Sequence, residues 1–254
     1  MAYLKKIILS LKELIILNIL QYLLIIISAL IYYITGHNSV QDFINIYSSL
    51  ILIPFYIIAT IYLYQKNKIP SQPLNKENYY PLISLGISLS CLLNMIIFIF
   101  TSPSITTNTN IILLFITSGI IGPIYEEIIF RYIIFNKLKK FNSPFTSILI
   151  TSIIFALIHM NPIKIIFALI LGLTLNIIYN KYKNILAPIL IHSSANIIAL
   201  FLTGYNHYIL ILSIFCLLLS LEIIFNQNNK VIKSWVLVKI KIKLLTNKNI
   251  YTII

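Results

Sequence analysis

Glu126 and Glu127 stand side by side inside the apolar stretch Ile111–Phe135, in a chain that has only six acidic residues. An ionised group at membrane depth costs about 2.5 to 3.5 kcal/mol even on the gentler insertion scales, so it persists where it is paired or faces a wet cavity. The two carboxylates are therefore the first candidates for chemistry. They open the pattern Glu126-Glu127-Ile-Ile-Phe-Arg131. Glu127 and Arg131 are spaced i,i+4 with the acid first, the orientation that favours pairing on a helix, and a charge-assisted bond would satisfy both. Glu126 points about a quarter turn away and is left without that partner. A purely structural reading has both acids pairing with bases to hold helices together, but one Arg neutralises one Glu and not two.

Two further patterns carry groups able to move protons or donate hydrogen bonds. In Phe155-Ala-Leu-Ile-His159 the aromatic ring precedes the imidazole by one helical turn. In Ala187-Pro188-Ile-Leu-Ile-His192-Ser-Ser-Ala-Asn196, Pro188 suits a first helical turn and His192 and Asn196 share a face at i,i+4. Each has a plainer reading. A lone His in an apolar helix is commonly a hydrogen-bonded core residue, and His with Asn on one face commonly joins membrane helices, because lipid supplies no partners.

The elements between these patterns decide whether they meet. Phe141-Asn-Ser-Pro144 is a turn, since Asn142 and the Ser143-Pro144 step both favour a break. If the flanking helices form a hairpin there, Glu126 and His159 are nearly equidistant from it, each roughly 20 to 25 Å up its helix. Gly172 lies in the helix between the second and third patterns, where a small residue permits close packing.

The whole chain places this hairpin in a membrane. Of its 254 residues 59% are hydrophobic and 10% charged, with a mean hydropathy of +0.94, against roughly 25% charge in a soluble domain. Apolar runs of spanning length fall near Leu14–Thr35, Phe43–Tyr64, Tyr80–Thr101, Ile111–Phe135, Pro144–His159, Ile163–Tyr179, Leu186–Thr203 and Tyr208–Phe225. The fold class predicted is an all-α polytopic membrane helix bundle of about eight transmembrane helices. The net charge of +13 follows from where the bases lie and calls for no nucleic acid. With the N-terminus inside, Lys5, Lys6 and Lys12, then Lys66, Lys68 and Lys76, then Arg131, Lys137, Lys139 and Lys140, then Lys181 and Lys183, and the six Lys after residue 229 all fall inside. Those are 18 of the 19 bases, and only Lys164 falls outside. The positive-inside rule therefore places both termini in the cytoplasm (N-in/C-in). The first run is too long for a signal-peptide core and is expected to stay as an anchor. Cys91 and Cys216 lie within spans and read as small apolar residues, not a disulfide or metal framework.

By content the chain divides into 1–110, three accessory spans without evident chemistry; 111–203, a four-helix region holding every candidate group; 204–225, a last span; and 226–254, a basic cytoplasmic tail around Trp235. Such a tail suits the surface of an anionic bilayer. Glu222, near the cytoplasmic end of the last span, reads as snorkelling or pairing with Lys230.

EExxxR, FxxxH and APxxxHxxxN, in this order on separate helices, resemble the CPBP family of intramembrane proteases, which includes the type II CAAX prenyl proteases and bacterial Abi-type proteins. The resemblance covers about residues 111–203. Tyr132 follows Arg131 where a Gly is common in the family, a departure that removes no chemical group. The resemblance implies a catalytic core within the membrane that hydrolyses a peptide bond of a membrane-associated substrate, CAAX-prenylated-like or of bacteriocin or pheromone type. Glu126 would then be general base on a water positioned by His159, with His192 and Asn196 donating to the oxyanion. Glu127, Arg131 and Phe155 would support them. HExxH is absent, so no closed zinc site is written in the sequence, although Glu126, His159 and His192 could in principle hold zinc with an open position. The partners implied are the lipid bilayer and a peptide or protein substrate, and the location a bacterial plasma membrane. A different class of function, a non-proteolytic immunity or resistance scaffold of Abi type, fits the same residues. A proton-relay transporter fits less well, because no two-fold repetition relates the halves.

Overall fold

The computed structural model describes residues 2–36, 40–70, 73–100 and 110–226, with the side chains of 2, 40–42 and 44–46 left aside. The basic tail from residue 227 and the neutral connection 101–109 lie outside the described residues. Among those described, nine helices follow one another: α1 (Ala2–Ser10), α2 (Lys12–Ile34), α3 (Val40–Asn67), α4 (Tyr79–Phe100), α5 (Ile111–Leu138), α6 (Pro144–Leu157), α7 (Pro162–Tyr182), α8 (Leu186–Ala199) and α9 (His207–Phe225). There is no strand among the described residues.

Six of these helices are long and apolar enough to cross a bilayer, while α6 and α8 have only 14 residues each. At about 1.5 Å per residue the two short helices reach about 21 Å, against about 30 Å of hydrocarbon. Of the eight transmembrane helices expected, six have spanning length and two are apolar but fall short of it. One of the two, α8, carries His192, and the other, α6, ends just before His159. Apolar side chains cover the outside of the bundle: Ile26, Ile31 and Ile34 on α2 and Leu212, Phe215 and Leu218 on α9 are all exposed. In water such a surface would be an aggregation liability. In lipid it is the solvent-facing side, and the chain is an integral membrane protein.

Helix ends are built from local sequence, because lipid satisfies no backbone group. Asn110 Oδ1 accepts from the amides of Ile112 and Leu113, Ser143 Oγ from Thr146, Asn161 Oδ1 from Ile163 and Lys164, and Asn206 Oδ1 from Tyr208 and Ile209. Pro144 and Pro162 occupy first-turn positions, where their missing N–H is no loss.

Two stretches of α5, Phe115–Ile121 and Ile128–Phe135, are wound as π-helix, on either side of the α-helical Gly122–Glu127. Part of the cause is visible in sequence. The amide of Gly122 bonds the carbonyl of Thr117, and Pro123 has no amide to offer Ser118. The helix is wide here and the Ser118 carbonyl must find a partner outside it.

The core lies along α5 and α8. Ile129, Phe130, Ile134 and Phe135 of α5 are fully buried, as are Phe155 of α6, Leu175 of α7 and Ile191 and Ala195 of α8. Helix α8 rests on α4 through small residues. Ser90 Oγ donates to the carbonyl of Ala195 at 2.8 Å and Ser194 Oγ to that of Ile83 at 3.2 Å. A Cβ on Gly86 would collide with the carbonyl oxygen of Ile191. Gly86 and Ser90, spaced i,i+4, are thus the small-residue seam that lets two backbones touch. Although the first 110 residues carry no reactive group, they fix the height and rotation of the helix bearing His192. Gly172 plays the corresponding part between α7 and α6, where an added Cβ would come 3.1 Å from the Phe155 ring.

Candidate active site

Helix α5 places its two carboxylates in different surroundings. Glu127 is fully buried, whereas the Glu126 side chain is 26% exposed and lines a cavity of about 430 Å³. Glu127 Oε1 accepts from Arg131 Nη1 at 2.8 Å, the i,i+4 pair expected from the sequence. The same oxygen accepts from His192 Nδ1 at 2.7 Å. This second bond crosses from α5 to α8, and nothing in the local spacing of either helix announced it. Glu127 therefore orients His192 as well as neutralising Arg131. With Nδ1–H committed to a carboxylate, His192 turns Nε2 toward Glu126, whose Oε2 is 3.9 Å away.

Phe155 is the hub around which these groups are arranged. Its ring is fully buried and has the Arg131 guanidinium 4.4 Å from its centre, a cation–π contact that helps hold a charge with few hydrogen-bonding partners. The His159 and His192 rings stand edge-on to it with centroids at 5.0 and 5.7 Å. One aromatic ring thus contacts both imidazoles. Arg131 Nε and Nη2 and Glu127 Oε2 have no partner among the described residues, so the buried pair is held by one short bond and by aromatic packing.

His159 differs from expectation in its backbone. The sequence reading carried helix to His159, but α6 stops at Leu157 and His159 lies in the closing turn, its amide bonded to the carbonyl of Ala156 at 3.1 Å. Met160 then takes the left-handed conformation (φ 53°) and Asn161 the extended one that precedes a proline. The Asn161-Pro162 step is the physical reason the helix ends early. His159 Nδ1 donates to the carbonyl of Phe155 at 2.8 Å. A carbonyl only accepts, so Nδ1 carries a proton, and the ring lines the same cavity as Glu126.

Asn196 Nδ2 donates to the Ser118 carbonyl at 2.9 Å, the acceptor stranded by Pro123. One amide hydrogen is thereby used in joining α8 to α5, and the other remains for the cavity that Asn196 lines. Both readings weighed from the sequence, glue and donor, fit the one side chain.

Glu126, His159, His192 and Asn196 all line this cavity. Polar side chains outside the three motifs also line it, among them Tyr56 from α3, Asn94 from α4 and Lys164 from the first turn of α7. Tyr56 stacks on Tyr125 with centroids 4.7 Å apart and accepts a hydrogen bond from Gln21 Nε2 at 3.3 Å. The only sequence signal for these was a polar group in an otherwise apolar span. Among the described residues no three His, Cys, Asp or Glu side chains converge as a metal site. Glu126, His159 and His192 line one cavity without being drawn together as such a set.

Comparison with known proteins points to the segment that holds this site. Residues 108–198 match the model of the family described as Rce1-like, type II CAAX prenyl endopeptidase. The chain is also similar to a Bacillus subtilis (strain 168) protein named "Putative membrane peptidase YdiL", with 36% identity over 84 residues. That match covers 33% of this chain and 34% of the relative, so the chain spans about a third of the relative it matches. No solved structure matches.

Proposed function

The CPBP resemblance read from the three motifs is borne out by both matches, and from that premise we propose that the chain is an intramembrane endopeptidase that cleaves with a water activated by Glu126. The observation that carries this reading is the division of labour between adjacent carboxylates. Glu127 is consumed by Arg131 and His192, while Glu126, the one acid lining the cavity among the described residues, stays partly exposed in a cavity that both histidines also line.

In the proposed reaction a water lies between Glu126 and the acceptor Nε2 of His159. As its oxygen attacks the scissile carbonyl carbon, its proton passes to Glu126. The carbonyl oxygen becomes an oxyanion and accepts from the free Nδ2 hydrogen of Asn196 and from Nε2–H of a protonated His192, whose charge Glu127 supports. In this state Glu126, Glu127, Arg131 and His192 sum to a charge of +1 that the oxyanion balances, which suits a low-dielectric interior. Collapse breaks the C–N bond, and Glu126 returns the proton to the leaving amine. Water reaches this depth because α6 and α8 are short. The substrate is a peptide or protein in or at a bacterial plasma membrane. The chemistry acts on a peptide bond and requires no prenyl group.

The test is cleavage of membrane proteins in cells carrying the native protein or Glu126→Gln, followed by comparative peptide mapping. Products that vanish with Glu126→Gln at normal expression, a loss of at least about 100-fold, support the assignment. Native turnover by that variant refutes Glu126 as the base, and absence of any product from the native protein leaves the non-proteolytic scaffold. Asn196→Ala separates its two roles: a lost cap for Ser118 costs about 1 to 3 kcal/mol of stability, whereas a lost oxyanion donor also lowers kcat by about 10² to 10³.

A further inference from the structure

The catalytic cavity has a direction. Helices α6 and α8 both begin at the basic, cytoplasmic side of the bundle, near Lys139 and Lys183, and both fall short at their far ends, Leu157 and Ala199. The cavity is lined from those far ends, by His159 after α6 and by Asn196, Ala199 and Leu200 at the end of α8. Ser118, near the start of α5, lies at the same end. With the termini inside, the gap left by the two short helices faces the extracytoplasmic side.

The charge at that mouth is singular. Lys164 is the one basic residue of the sequence that falls outside, and among the described residues it is also the one Lys or Arg lining the cavity. It is exposed, in the first turn of α7, where helix electrostatics favour an acid and not a base. The Lys164 amide is held by Asn161 Oδ1, so its stem leaves a fixed turn two residues after Pro162. The cavity thus carries a cation at its rim and a carboxylate, Glu126, at its reacting centre.

Resting on the peptidase reading, we propose that the site is entered from the extracytoplasmic side and that Lys164 selects substrates carrying a carboxylate in the segment just outside the membrane. The same charge rule that orients this chain depletes such segments of Lys and Arg in other membrane proteins, so a cationic rim meets the class of segment most often presented there. A basic segment would place like charges together and be rejected.

Sidedness is read without activity. In a Cys91→Ser, Cys216→Ser background, Lys164→Cys is expected to react with a membrane-impermeant maleimide in intact cells, and Lys68→Cys only after permeabilisation; the reverse pattern overturns the proposal. Selection is read by binding. Full-length Glu126→Gln protein in nanodiscs is titrated with a synthetic single-span peptide bearing Glu, Gln or Lys in its juxtamembrane segment. About tenfold or more tighter binding of the Glu peptide than the Lys peptide, reversed by adding Lys164→Glu, is the expected result; equal binding of all three overturns it. Cleavage of the Glu peptide by protein with Glu126 intact tests the peptidase reading separately, so failure of one leaves the other measurable.

Discussion

Replacing Arg131 by Gln removes the guanidinium from a fully buried pair and leaves Glu127 facing His192 alone. The Glu127 and Arg131 side chains are both 0% exposed, at 2.8 Å, and the one other described partner of Glu127 is His192 at 2.7 Å. Breaking a buried pair by deleting one partner typically costs about 3 to 5 kcal/mol. For a chain of this length about 1 kcal/mol corresponds to roughly 2 to 4 °C, so Arg131→Gln should lower the detergent-solubilised Tm by about 6 to 20 °C. Glu127→Gln alone strands the guanidinium and should cost a similar amount. The double variant, Glu127→Gln with Arg131→Gln, removes both charges. Its two new side-chain amides can bond one another, and the one on α5 nearer His192 can still accept from Nδ1. It should recover most of the folded yield and Tm. Peptide cleavage should not recover in parallel, because the carboxylate that supports a charged His192 is gone. The assay is thermal melting of the native protein, both single variants and the double, with cleavage measured on each folded sample. If the double variant loses the full sum of the single losses, the two side chains do not interact, and Glu127 returns as a candidate base beside Glu126.

Two further perturbations test the frame. Gly86→Ala drives a Cβ into the Ile191 carbonyl oxygen, so α4 and α8 must separate; overpacking of this kind costs about 1 to 3 kcal/mol, and a native Tm would refute the close approach. At the Tyr182 end of α7, burial and the neighbouring Lys139, which shares the Asn180 side-chain oxygen, push the Lys183 amine down to about 8 from 10.5. Between those values the unfolded chain holds a proton that the folded one lacks, so stability should rise with pH from about 8 to 10.5, and the penalty is fully present below 8. Lys139→Gln should flatten that rise and slow acylation of Lys183 near pH 8, and an unchanged slope would refute the coupling.

Sequence alone determined the membrane class, because composition and the lengths of apolar runs are properties of the chain. It also marked the candidate groups, since a charge at membrane depth is costly, and the i,i+4 pairing of Glu127 with Arg131, which the structure forms, is local helix geometry. The helix caps at Asn110, Ser143, Asn161 and Asn206 are likewise local. What only the tertiary structure decided are contacts between residues far apart in the chain. The bond from Glu127 to His192 joins positions 65 apart, and that from Asn196 to Ser118 positions 78 apart. No periodicity encodes either, since each depends on how α8 is rotated against α5, and that rotation is set by Gly86 and Ser90 on α4. The early end of α6 was written in Asn161-Pro162, yet its consequence was not. A short helix leaves a cavity only where its neighbours are longer, and here residues of α3, α4, α5, α7 and α8 line it beside His159.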